Sequence, residues 1–108
     1  MPFRILRIIF VLAVVSITSL SMAQQYPDRT VKIVGPGAGS GTDLTARILA
    51  KSLAKIWQQS VIIENRPGAG GTLGISSVVN APGDGYTLLA QSATYVINPA
   101  VYKNQGFD

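Results

Sequence analysis

The 108-residue chain contains no cysteine and no histidine. Without cysteine there are no disulfides, no thiolate metal sites and no thiol nucleophile. Without histidine the chain lacks the side chain most often used for proton transfer near neutral pH, which is also the commonest metal ligand. Its serines therefore have no imidazole to activate them. The acidic residues Asp28, Asp43, Glu64 and Asp84 lie apart, with no spacing that pairs two of them. The reading is of a protein with no enzymatic activity, no metal and no cofactor. Charge is also scarce, at 13% of residues, and no polybasic run occurs, so nucleic acid and acidic membrane surfaces have weak support as partners.

What is present begins with an export signal. Arg4 and Arg7 form a positive start, Ile8 to Ile17 is almost unbroken apolar sequence, and Ser21-Met22-Ala23 places small residues where a signal peptidase reads. The pattern predicts a signal peptide over residues 1–23, cleaved before Gln24. A membrane anchor is the rival reading, but it needs roughly 20 apolar residues, and Ser16, Thr18, Ser19 and Ser21 interrupt the end of this run. Without the leader, seven basic residues stand against five acidic ones, a net charge of +2. Residues 24–108 suffice for one small domain that buries somewhat over roughly 60% of its unfolded surface.

Along that segment, Thr30–Val34 has the β-branched content of a strand and stops at Gly35. From Asp43 to Trp57 the apolar residues Ala46, Leu49, Ala50, Leu53, Ile56 and Trp57 recur at helical spacing, with Arg47, Lys51 and Lys55 on the opposite side. Thr42 or Ser40 can cap that helix. Val61–Glu64 is a second strand, ended by Asn65-Arg-Pro-Gly68. A shorter helix is predicted over Thr72–Val79, a third strand over Tyr86–Ala90, and a further helix from about Asn98-Pro99. Alternation of strand and helix with short connections calls for an α/β fold with a parallel sheet and right-handed crossovers.

Two glycine-rich segments follow the first two strands, Gly35-Pro-Gly-Ala-Gly-Ser-Gly-Thr-Asp43 and Asn65-Arg-Pro-Gly-Ala-Gly-Gly-Thr-Leu-Gly74. Neither is a nucleotide motif. A Walker A loop requires a lysine, and none lies between Lys32 and Lys51; Gly37, Gly39 and Gly41 alternate every second residue rather than as Gly-x-Gly-x-x-Gly. Taken singly, each segment is a tight turn between strand and helix. Together they fall at the carboxyl ends of the strands, beside helix N-termini, and carry hydroxyls at Ser40, Thr42 and Thr72. That combination points to a small anion, because converging N–H groups and the positive end of a helix dipole favour negative oxygens. Asp43 reads as a first-turn helix residue, Arg66 as exposed or paired with Glu64, the stripe of Arg47, Lys51 and Lys55 as a solvated face, and Trp57 as closing the core edge.

These residues resemble the periplasmic substrate-binding receptors of tripartite tricarboxylate transporters, the Bug-type family. The likeness runs from Tyr26-Pro-Asp-Arg29 through Gly39-Ser-Gly-Thr-Asp43 and Ala46-Arg47. It continues over Val61-Ile-Ile-Glu-Asn-Arg-Pro-Gly-Ala-Gly-Gly71 and Asp84-Gly-Tyr-Thr-Leu-Leu89 to Asn98-Pro-Ala100 and Tyr102. The resemblance implies a periplasmic, two-lobed binding protein that closes on a small organic anion such as a di- or tricarboxylate and delivers it to membrane permease subunits. It implies that backbone amides and waters of the first two loops hold the carboxylate. Those positions are Gly39, Ser40, Gly41 and Thr42 in the first loop and Ala69, Gly70 and Gly71 in the second, with Ser92 and Thr94 as a third contact.

Two departures stand out. Val34-Gly35-Pro36 replaces the family's usual Val-Pro-Phe, removing an aromatic wall near the ligand, and receptors of this family are roughly three times as long by domain-count reckoning. The expectation is therefore a partial first lobe over residues 24–108. The alternatives are a truncated product without function and, behind it, an exported nucleotide-binding or enzymatic domain.

Overall fold

Every residue of the strand Val31–Gly35 except Lys32 is buried, so the chain builds outward from it on both sides. The computed structural model describes residues 25–103 and, ahead of them, Phe3 alone; the expected leader and its cleavage point fall outside that stretch. In chain order the elements are β1 (Val31–Gly35), α1 (Gly41–Trp57), β2 (Val61–Asn65), a single 3-10 turn (Ala69–Gly71), α2 (Thr72–Val79), β3 (Thr87–Leu89) and α3 (Thr94–Val101). The three strands form one parallel sheet in the order β2-β1-β3, with β1 in the centre.

The register lines up the carboxyl ends. Gly35 stands opposite Asn65 and Val34 opposite Leu89, and the Ala90 amide continues the ladder to the Val34 carbonyl at 2.8 Å. Whatever follows each strand therefore emerges on the same rim.

Successive strand residues point to opposite faces, and this sorts the helices. Ile33 packs with Ala46 and Ala50 of α1, joined by Val61, Ile63, Leu88 and Ala90. Its neighbour Val34 lies against α2, 3.6 Å from where a Cβ on Gly74 would stand. Hence α1 covers one face over β1 and β2, while α2 covers the other over β1 and β3, with the fully buried Ile75 as its anchor. Right-handed crossovers that run in opposite directions, first from β1 out to β2 and then from β2 back past β1 to β3, require this arrangement.

Each face is left half open. On the α2 face the uncovered part over β2 sets the half-exposed Ile62 among charges, with Lys32 Nζ 2.9 Å from Glu64 and Arg66 also paired to Glu64. These partners, Lys32 first, hold the Glu64 carboxyl below its ordinary value. On the α1 face the uncovered part beside β3 is apolar, a cavity of about 640 Å³ walled by Ile33, Leu49, Leu53, Leu88 and Ala90.

The amino ends of the strands carry an aromatic latch. Tyr26 meets Trp57 and Tyr86 edge-on, with ring centroids 5.8 and 5.2 Å apart. Arg29 lies 3.7 Å over the Tyr86 ring and reaches Asp28 at 3.4 Å and Asp84 at 3.3 Å. The Tyr86 hydroxyl donates to Asp28 at 2.6 Å, which raises the pKa of that phenol above its ordinary value. Tyr26-Pro-Asp-Arg29 and Asp84-Gly-Tyr86 thus serve the end of the sheet remote from the glycine loops.

Candidate functional site

At the carboxyl rim the chain leaves β1 toward α1 on one face, whereas the segment after β3 runs into α3, which packs with α2 and the second loop on the other. The border between β1 and β3 is therefore a topological switch point, where connections diverge and open a crevice. The first loop and Gln91 line a cavity there, and the second loop adjoins Gln91 at Gly71.

The first loop is shaped by a cap and a buried carboxylate. Ser40 is the N-cap of α1 in extended conformation, and its Oγ accepts from the Asp43 amide at 3.2 Å. Asp43 itself is 1% exposed, and three donors converge on it. The Gly39 amide donates at 2.9 Å and Arg47 Nε at 3.0 Å to Oδ2, while Asn65 Nδ2 donates at 2.8 Å to Oδ1. These donors, Arg47 first and then Asn65 and Gly39, hold the Asp43 carboxyl at about 2 against an ordinary 3.8. Asn65 also donates to the Pro36 carbonyl at 2.7 Å and accepts from Arg47 Nη2 at 3.0 Å.

The second loop winds through four successive positive φ values, at Gly68, Ala69, Gly70 and Gly71. Such a run is a backbone path that side chains rarely follow, which accounts for three glycines in four positions. It is braced from α3, where Asn98, 3% exposed, donates through Nδ2 to the Gly70 carbonyl at 2.8 Å. Thr72 Oγ1 donates to the Ala69 carbonyl at 2.7 Å. After β3, Ser92 Oγ and Thr94 Oγ1 are hydrogen-bonded at 2.7 Å, and Gln91 Oε1 accepts from the Ser92 amide at 3.0 Å.

The three segments touch one another. Added Cβ atoms would fall 3.9 Å from Pro67 at Gly37 and 2.7 Å from Gln91 Nε2 at Gly71, so the first loop abuts the second and the second abuts the segment after β3. Gly41, Thr42 and Gln91 share the mouth of the apolar cavity.

The predicted site residues separate into two groups. The Gly39 amide is taken by Asp43, and the Gly71 amide bonds the Gly68 carbonyl at 2.9 Å. The Ser40 amide makes a long 3.3 Å bond to the Gly37 carbonyl. By contrast the amides of Gly41, Thr42, Ala69 and Gly70 meet no acceptor among the described residues. These four amides, with the hydroxyls of Ser40 and Thr42, are the open donors of the predicted set, whereas the Ser92 and Thr94 hydroxyls are engaged with each other and with Gln91 Oε1. Among the described residues no three of the side chains that hold metals gather in one place.

Sequence reasoning reaches the supports only in part. Asp43 reads as an ordinary first-turn residue and Arg47 as part of a solvated stripe, yet the two are joined at the centre of the loop. The Ser40 cap and the spacing of Asp43 four residues before Arg47 are legible in the sequence, whereas the burial of Asp43 is not. Nothing local marks Asn65, Gln91 or Asn98.

Comparison with known proteins adds to this geometry. A sequence family described as "Tripartite tricarboxylate transporter family receptor" matches residues 45–108. A UPF0065 protein of Bordetella pertussis is 40% identical over 98% of this chain, which spans 33% of that relative. Protein BugT of the same organism is 37% identical over 84% of this chain and 28% of its own length. The chain thus corresponds to about a third of such a protein. Among solved structures, the periplasmic binding protein BugD is similar with a TM-score of 0.73 and 43% identity, over 77% of this chain and 28% of that one. MatC of Rhodopseudomonas palustris, solved with bound malate, gives a TM-score of 0.57 and 45% identity over 59% of this chain and 22% of that one.

Proposed function

Because the chain belongs to the tripartite tricarboxylate transporter receptor family, we propose that its carboxyl rim captures a small organic carboxylate in the periplasm for delivery to membrane permease subunits. Residues 24–108 then correspond to part of the first lobe of such a receptor, and residues 1–23 to its export leader. The observation that carries this reading is that two glycine loops adjoin on one rim, with four backbone amides that meet no acceptor among the described residues. Backbone donors suit a carboxylate, since several N–H groups can share its two oxygens without a counter-charge. The malate bound by MatC supports the same ligand chemistry here.

One lobe supplies contacts from one side only. Hinge-closing receptors exclude water and gain affinity by adding a second set of contacts. The expected result is weak, measurable binding by this chain alone.

Titration calorimetry and thermal-shift measurement against malate, citrate and a matched neutral amide test the proposal. Heat and stabilisation with the carboxylates but not the amide are expected. Stabilisation by nucleotides alone, or by none of the acids, overturns it. A failure to melt cooperatively favours instead a chain without independent function.

A further inference from the structure

Asp43 is the one charged side chain among the described residues that is buried, and a helix cap does not require this. A cap satisfies one amide from the surface. Burying a carboxylate costs more than a cap returns unless the group is fully hydrogen-bonded. Here its donors come from three segments: Gly39 in the turn after β1, Arg47 on the flank of α1, and Asn65 at the last position of β2. Asn65 closes the figure by donating to Pro36 at the other end of the same turn and accepting from Arg47. The turn is therefore held at both ends, by side chains rooted in the two elements that flank it. Asn65 is also the residue from which the second glycine loop departs.

From this arrangement we infer that Asp43 and Asn65 are positioning residues for anion recognition, which fix the spacing between the Gly41 and Thr42 amides of the first loop and the Ala69 and Gly70 amides of the second. Neither side chain touches the ligand, because the hydrogen bonds of each are directed into the turn. The inference rests on the carboxylate-capture reading and adds to it the device that sets its geometry. Without the device, the first loop is a glycine-rich segment with many conformations, and the ligand must bear the cost of ordering it.

The test uses the full chain with malate as probe, comparing Asp43→Asn, Asn65→Ala and Tyr86→Phe. The last removes the hydrogen bond to Asp28 at the remote end of the sheet and serves as a stability control. Affinity is measured at a temperature where every variant is folded, and amide hydrogen exchange is followed at Gly39, Gly41 and Thr42 without ligand. The expected result is at least about tenfold weaker malate binding for Asp43→Asn and Asn65→Ala, the usual scale when a partner that orients contact groups is removed. Gly39 exchange should rise in both, and Tyr86→Phe should bind as the parent does at a comparable loss of Tm.

Unchanged affinity in the two rim variants, with only Tm lowered, overturns the positioning role. If the parent binds no malate, the carboxylate reading fails separately, and exchange then decides: protection of Gly39 that survives Asp43→Asn overturns the inference, and its loss supports it. Where Asp43→Asn does not fold, Asn65→Ala decides by the same comparison.

Discussion

Protonating Asp43 neutralises the carboxylate on which Gly39, Arg47 and Asn65 converge and turns one of its oxygens into a donor. Its carboxyl is held at about 2, below the ordinary 3.8, so the folded state binds this proton less readily than the unfolded chain does. The stability it contributes is fully present above about pH 4 and is lost as pH falls through about 2. Urea unfolding at a series of pH values should show this acid limb, and Asp43→Asn should flatten it, leaving the part that belongs to Glu64. A second residue-scale expectation concerns Gly68, at φ 118° and ψ 160°, a region open essentially to glycine. A Cβ there would also come within 3.0 Å of Leu73 Cδ1. Gly68→Ala should cost about 1–3 kcal/mol in denaturant unfolding. That glycine is plain in the sequence, since Arg-Pro-Gly ends a strand in only a few ways. The burial of Asp43 is not, because it depends on Asn65, a partner brought close by the register of β1 against β2 rather than by local spacing.

Helix α2 is legible from its residues alone: Thr72–Val79 is where apolar periodicity and the flanking glycines place it. What periodicity leaves open is which side chain matters, and the fold selects Ile75, fully buried against β1 and β3. Ile75→Ala should cost roughly 2–5 kcal/mol, enough in so small a core to leave much of the chain unfolded, as read by far-ultraviolet circular dichroism on heating. The helix after β3 departs from expectation. Asn98-Pro99 reads as a helix start because proline favours the first turn, yet α3 begins at Thr94 and holds Pro99 inside it. Asn98 is drawn in by the Gly70 carbonyl, a tertiary bond with no sequence signature. Helix α1 shows a similar limit, since its spacing predicts Leu49 and Ile56 on the core stripe. Both are largely exposed, at 52% and 73%, and the small Ala46 and Ala50 make the close approach to the sheet.

The sheet has two unlike borders. Beside β2 the open face ends in Lys32, Glu64 and Arg66, whereas beside β3 it is walled with leucine and isoleucine. An exposed apolar surface of this kind binds hydrophobic dyes even in a folded protein. Native samples should therefore enhance anilinonaphthalene sulfonate fluorescence, and Leu49→Gln, which makes the cavity wall polar, should reduce it without lowering the melting temperature. No alternation of residues along the chain distinguishes these borders, because a strand carries the same pattern whether or not a helix lies over it.

The inequality of the two borders also governs how copies can meet in concentrated solution. The margin beside β3 presents the apolar cavity wall to a newcomer, whereas the margin beside β2 surrounds its exposed Ile62 with the ion pairs of Lys32, Glu64 and Arg66. Contacts made through the β3 side therefore bury more apolar area than contacts made through the β2 side.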